Sequence, residues 1–358
     1  MGNQINGQYF RDLDILRAIA VLMVVVHHWT VGESILHYGG AMGVNLFFVL
    51  SGFLITLILL NQKEDYLEGD MARKQLILKT FYIRRTLRIF PIYYLYVFVL
   101  LILGTGQVRE VWPWLLTYSY NLQLWLTNIW HTGYIEHLWS LAMEEQFYLI
   151  WPFVILGVPR KYTLHAIILF VFLGMLSRGI FYIRDPGSQY SKFTFSAFDA
   201  FGLGALFAYY NRQGIKIPYQ GAGFVLAFLL FVFGKWNGLH FVGKSGLFQV
   251  LPFYPLACAF AIQAAYHGFP RWLKTLLDFD WMVYIGRISY GIYLYHLMVP
   301  DLLKYLLSKA GIHLAHMSVS FLALCTIATW AICQASWRWI EQPINKLKDR
   351  YKYKAMRR

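Results

Sequence analysis

Val44-Asn-Leu-Phe-Phe-Val-Leu-Ser51-Gly52-Phe-Leu-Ile-Thr-Leu-Ile-Leu-Leu60 contains no charged residue. A helix of about 20 such residues, rising 1.5 Å per residue, crosses the hydrocarbon layer of a bilayer, and this stretch with its flanks reads as one crossing. Similar stretches recur at roughly 13–31, 89–104, 137–157, 164–182, 196–210, 219–236, 248–266, 284–308 and 317–339. With 58% hydrophobic, 19% aromatic and 14% charged residues, the chain is more apolar than a soluble globular domain. The expected fold is an all-α polytopic membrane protein of about ten transmembrane helices. Residues 1–345 read as one transmembrane domain and 346–358 as a basic tail. Met1 to Asp14 is polar and lacks the apolar core of a secretory signal, so the first span is expected to remain in the mature protein.

The net charge of +14 does not form a soluble basic patch of the kind that binds nucleic acid. The basic residues fall in alternate loops, above all 62–88 (Lys63, Arg73, Lys74, Lys79, Arg84, Arg85, Arg88) and the tail ending Lys352, Lys354, Arg357 and Arg358. By the positive-inside rule both termini are expected in the cytoplasm of a multi-pass protein of the bacterial inner membrane, with both basic segments facing anionic lipid. Cys258, Cys325 and Cys333 all lie in apolar spans, where they read as small hydrophobes, and no metal site is expected. The outer loop 105–136 is rich in Trp and Tyr, including Trp112, Trp125, Trp130 and Tyr134. Such rings form an interfacial belt or a sugar-stacking surface.

Titratable residues inside spans are costly, so each is a candidate for function. Arg17 and His28 are eleven positions apart, which returns them to one helical face about 16 Å from each other. An acyl-coenzyme A entering from the cytoplasm could leave its phosphates near arginines and present its thioester to His28, a natural general base. A bundle-packing histidine is the plain alternative; His27 faces elsewhere and reads as structural. The fourth span places Glu144 and Glu145 at much the depth of His28, as candidates to orient its imidazole or hold the acceptor, or else as bracing ion pairs. Ser140, Glu144 and Tyr148 recur every four residues as one polar stripe, which favours Glu144 as the inward carboxylate. At the cytoplasmic mouth of the third span stand Arg84, Arg85 and Arg88, the last two on one face and suited to phosphates, although such a cluster also serves simply to fix topology. Ser289, Tyr293 and His296 share a face and read either as a lining of the donor channel or as a structural hydrogen-bond seam.

Together these segments resemble the acyltransferase-3 family of membrane acyltransferases. The likeness rests on ordered motifs: Leu16-Arg17-Ala-Ile-Ala followed by His28; Phe47-Phe48-Val-Leu-Ser51-Gly52-Phe53-Leu54; Arg85 and Arg88 with Pro91; His137-Leu-Trp139-Ser140-Leu with Glu144-Glu145-Gln-Phe-Tyr148; Ile288-Ser289-Tyr290-Gly-Ile-Tyr293-Leu-Tyr-His296; and Ile340-Glu341-Gln-Pro343. The resemblance implies ten membrane helices and transfer of an acyl group, most often acetyl, from acyl-coenzyme A to envelope carbohydrates or, in other members, antibiotics. It implies an essential pair in Arg17 and His28, an acidic site in Glu144 or Glu145, and contacts to the nucleotide end of the donor from Arg85 and Arg88. No permanently bound cofactor is expected, the acyl-coenzyme A being a co-substrate. Many relatives carry an SGNH-type esterase domain at the carboxy end; here a short basic tail stands instead, so the chain is expected to act alone or with a separate extracytoplasmic transferase. One departure falls at Ser196-Ala-Phe-Asp199, where Ala197 stands in place of the family's usual arginine and leaves Asp199 in need of another partner. Ser51-Gly52 reads as a close-packing point between helices, and Glu341 as structural.

The expected function is transfer of an acetyl-type group from cytoplasmic acyl-coenzyme A to a hydroxyl of an envelope polysaccharide or its lipid-linked precursor. His28 is the expected base, and His137, Trp139 and Ser140 are expected near the acceptor. A covalent acyl-histidine is a variant of the mechanism. The rival readings are a transporter, against which no inverted repeat or paired broken helices are seen, and a translocator passing acyl groups to a separate transferase.

Overall fold

The computed structural model describes residues 4–5, 8–30, 39–64, 69–104, 106–185, 187–215, 217, 220–240, 250–312, 314–315, 318–348, 350–351 and 353. Apart from a two-residue antiparallel pairing of Gln4–Ile5 with Gln8–Tyr9, the regular structure in these residues is helical. In chain order the helices are α1 (Arg11–Trp29), α2 (Gly39–Glu64), α3 (Met71–Leu103), α4 (Gly106–Leu116), α5 (Tyr120–Thr127), α6 (Leu138–Gly157), α7 (Thr163–Arg184), α8 (Phe198–Arg212), α9 (Gln220–His240), α10 (Phe253–His267), α11 (Arg271–Leu277), α12 (Asp280–Arg287), α13 (Ser289–Tyr295), α14 (Met298–Lys309), α15 (Val319–Ser336) and α16 (Gln342–Lys348). A π-helical turn, Trp337–Glu341, joins the last two.

Four helical stretches among the described residues are long and apolar enough to cross a membrane: Gly39–Glu64, Met71–Leu103, Arg160–Arg184 and Val319–Lys348. Helices α1 and α6 fall short of that composition because α1 carries Asp12, Asp14 and Arg17 and α6 carries Glu144 and Glu145. Large apolar side chains face outward on α3 (Phe98, Ile102), α6 (Leu149, Phe153), α7 (Phe172) and α15 (Ile327, Trp330), a surface suited to lipid.

Helix α2 runs through the centre of the bundle, with α1, α6, α8 and α10 against it. Its approach to α8 is set by two glycines. A Cβ on Gly52 would stand 2.0 Å from the Phe201 carbonyl oxygen, and one on Gly204 2.0 Å from that of Val49, so the two backbones touch where any side chain would hold them apart. This is the close-packing role expected of the Ser51-Gly52 pair. Next to that contact Phe147 of α6 stacks on Phe201 at 4.2 Å between centroids, and buried Trp151 gives its indole N–H to Thr56 Oγ1 at 2.7 Å.

The partner that Asp199 needs is Arg178 of α7. Its Nη1 and Nη2 donate to the two carboxylate oxygens at 2.7 and 2.5 Å, and its fork also reaches the Ser196 and Val250 carbonyls. The fully buried carboxylate thus receives a bidentate cation from the neighbouring helix instead of from its own turn.

The expected single span 284–308 is broken into α12, α13 and α14. Pro300, in the first turn of α14, has no N–H to offer the carbonyl four residues earlier, which belongs to His296. That carbonyl accepts instead from Trp29 Nε1 at 2.8 Å, which ties the break to the end of α1.

Candidate active site

A cavity opens between α1, α2, α3, α6 and α13. Arg17, Arg85 and Arg88 all line it, with Glu144 and Glu145 from α6. Arg85 and Arg88, three residues apart, fall on one face of α3 and turn inward together, Arg85 lying 5.2 Å from the centre of the Tyr148 ring. Arg17 is held from below by Asp14, a fully buried carboxylate one turn earlier, at 3.7 Å. Three guanidinium groups sharing one cavity repel one another, and Asp14, Glu144 and Glu145 are the carboxylates that offset them. Arg84, one position before Arg85 and therefore about 100° round the helix, leaves the cavity. Its Nη1 donates to the carbonyls of Lys348 and Tyr351, and its guanidinium lies over the Tyr353 ring, so it fastens the basic tail.

The polar stripe of α6 forms the opposite wall. Glu144 Oε1 accepts from the Ser51 hydroxyl and, at 2.5 Å, from Tyr148. One turn away Ser140 Oγ pairs with the Tyr293 hydroxyl and donates to the His137 carbonyl. Ser289 and Tyr293 line the cavity from α13. Glu145 also faces it, with Arg85 as its charged counterpart. The hydrogen bonds of Glu144 go to Ser51 and Tyr148, so the expected carboxylate-to-imidazole contact with His28 is not formed.

His28 is oriented instead by a histidine. His296, fully buried, sets its Nδ1 2.7 Å from the Tyr293 carbonyl and its Nε2 3.1 Å from His28 Nδ1, which is also 2.9 Å from the Val24 carbonyl. A carbonyl only accepts, so His296 carries its proton on Nδ1 and offers the Nε2 lone pair. His28 then carries its proton on Nδ1, shared between Val24 O and His296 Nε2, which leaves the basic lone pair of His28 on Nε2. His296 therefore stands beside the candidate base, one turn from the cavity-lining Tyr293, and is absent from the cavity wall itself. His137 packs 5.0 Å from His296, ring to ring, and its Nε2 donates to the Leu294 carbonyl at 3.1 Å. Trp139 lies on the far side of Phe48, edge to face at 6.3 Å. Glu341 accepts from Ser336 at 3.3 Å in the π-helical turn, in keeping with a structural part. The three cysteines are buried and unpaired, and no metal-binding cluster occurs among the described residues.

The family model for the acyltransferase domain of the acyltransferase-3 type matches residues 10–338, the stretch that supplies every residue lining the cavity. The chain belongs to the acyltransferase-3 family. Among its relatives, the peptidoglycan O-acetyltransferase OatA of Listeria monocytogenes is 31% identical over 95% of the chain and 56% of its own length. The provisionally named peptidoglycan O-acetyltransferase YrhL of Bacillus subtilis is 27% identical over 94% of the chain and 55% of its length, and a provisionally named O-acetyltransferase of Staphylococcus aureus is 26% identical over 95% and 58%. The chain thus spans a little over half the length of the curated relatives it matches. No solved structure matches it significantly.

Arg17, Arg85, Arg88, Glu144 and Glu145, singled out in the sequence, all line this cavity, whereas Asp14 and the bonding role of Ser51 were passed over. The first was legible in the three-residue spacing of Asp14 and Arg17; the second depends on which helix faces α2.

Proposed function

We propose that this acyltransferase takes an acetyl-type group from cytoplasmic acyl-coenzyme A and passes it to a hydroxyl of an envelope glycan or its lipid-linked precursor, within a ten-helix inner-membrane bundle whose termini are cytoplasmic. The observation that carries the reading is the convergence of Arg17, Arg85 and Arg88 on one cavity whose wall reaches, through Tyr293, the His296–His28 pair. Clustered guanidiniums suit the phosphates of a coenzyme A, and the histidines lie beyond them at the distance a pantetheine arm covers along α1. His28 Nε2 removes the proton of the acceptor hydroxyl as the oxygen attacks the thioester carbonyl. The carbon–sulfur bond then breaks, and the imidazolium returns the proton to the departing thiolate. The hydroxyl of Tyr293, bonded to Ser140 in this state, would turn into the cavity to donate to the developing oxyanion. The named activities of the relatives on peptidoglycan point to a glycan acceptor. Purified protein in nanodiscs should consume acetyl-coenzyme A in the presence of muropeptides with acetyl transfer to sugar, and His28→Ala should lose both. Consumption undiminished in His28→Ala would refute the assignment.

A further inference from the structure

Beyond Trp139, at the His137 end of α6 and away from the arginine cavity, lies a second polar site. Lys192, in a short turn (Tyr190–Lys192) between α7 and α8, sets its Nζ 3.5 Å from the centre of the Trp139 ring and 5.1 Å from that of Trp130. Trp130 Nε1 donates to Glu136 at 3.2 Å, and Asn121 Nδ2 holds the Lys192 carbonyl at 2.9 Å, so both the indole and the lysine backbone are fixed. The ammonium itself is not satisfied in the same way. Among the described residues it donates no hydrogen bond and makes no ion pair. Glu136 is the charged group that acts on it, and only at a distance. Burial pushes the amine down to about 7. An amine held against two indoles, half-buried and with no acceptor among the described residues, is a poor structural element, because it gives up part of its hydration for two π contacts alone. It is a good receptor for an anion.

We infer that Lys192, with Trp139 and Trp130, forms an acceptor subsite on the outer side of Trp139 that binds the negatively charged group of an anionic sugar while the indole faces stack on its ring. This rests on the proposed transfer to a glycan. Trp139 then serves as the partition between donor and acceptor, since Phe48, packed on its inner side, lines the arginine cavity. Two sources share the required chemistry: a carboxylate carried on the sugar, or a phosphate at its anomeric position.

The test is protection of Lys192 from an amine-acylating reagent, read by mass spectrometry on the intact wild-type protein in nanodiscs, and it needs no catalytic turnover. An amine titrating near neutrality should label ahead of ordinary lysines, whose pKa values lie near 10.4. N-acetylmuramic acid (carboxylate), N-acetylglucosamine 1-phosphate and neutral N-acetylglucosamine are compared at equal concentrations. At about ten times the dissociation constant of the tighter anionic sugar, that sugar should slow labelling of Lys192 by about tenfold, with no comparable effect of the neutral sugar at the same concentration. Which anion protects identifies the source. Equal protection by all three, protection by none, or failure of Lys192 to label at all would overturn the subsite. Loss of acetyl transfer with protection intact would instead count against the proposed function.

Discussion

His28 Nδ1 and His296 Nε2 meet at 3.1 Å across 268 residues of sequence, and the contact decides which nitrogen of His28 is basic. The second imidazole replaces the carboxylate that more often orients a general base. His296→Gln keeps a side-chain polar group but cannot accept at the same point with the same basicity. It should lower kcat by about ten- to a hundredfold while leaving KM for acetyl-coenzyme A within about twofold. Steady-state kinetics on the purified variant checks this, and an equal rise in KM would place His296 in the donor site instead.

Glu144 and Glu145 should separate. Glu144 carries the bonds to Ser51 and Tyr148, whereas Glu145 faces Arg85 and accepts no hydrogen bond among the described residues. Glu144→Gln should cost about a hundredfold in kcat/KM and Glu145→Gln about tenfold or less. Tyr148→Phe should reproduce part of the Glu144→Gln loss. The reverse order of the two amides would show that the inward role belongs to Glu145.

Of Arg84, Arg85 and Arg88, clustered on α3, only the last two face the cavity. Arg85→Ala and Arg88→Ala should each raise KM for acyl-coenzyme A by about ten- to a hundredfold, the value of a charge-assisted phosphate contact. Arg84→Ala should leave KM unchanged and make the bond after Lys348 more open to trypsin, since it frees the carbonyls of Lys348 and Tyr351. Kinetics and limited proteolysis on the same preparations distinguish the two roles.

Arg178→Ala would strand the carboxylate of Asp199, which is fully buried. The expected loss is about 3–5 kcal/mol of stability, whereas removing both charges in Arg178→Met with Asp199→Leu should recover most of it. Thermal unfolding in detergent, followed by tryptophan fluorescence, gives the comparison. An unstable double variant with a normal single variant would contradict the pairing.

Much of this architecture can be read without coordinates, and the failures have identifiable causes. Apolar runs show where helices lie, and four-residue spacing alone reveals the Ser140, Glu144 and Tyr148 stripe. What hydropathy does not show is a change of direction inside an apolar run. The stretch 284–308 hides two breaks, although Pro300 marks one of them for a reader who asks which carbonyl it leaves unpaired. Neighbouring charges also mislead: Arg84 and Arg85 look alike in sequence, yet one helical step sends the first to the tail and the second to the cavity. Pairings between distant helices, such as Arg178 with Asp199 or Lys192 on Trp139, leave no local trace because each partner satisfies a need set by the other's surroundings.

The glycine contact between α2 and α8 has a mechanical meaning as well. Ser51, which holds Glu144, directly precedes Gly52, whose backbone is pressed against Phe201. Where two main chains already touch, the pair has no slack, and α2 acts as a fixed gauge block from which the position of the α6 cavity wall is measured. An added methyl at Gly52 would work like a shim, displacing Ser51 from Glu144 before it loosened the bundle as a whole. Any opening that admits substrates must then be sought in the jointed segment α12–α14, where the chain is already interrupted, and α2 stays still while it happens.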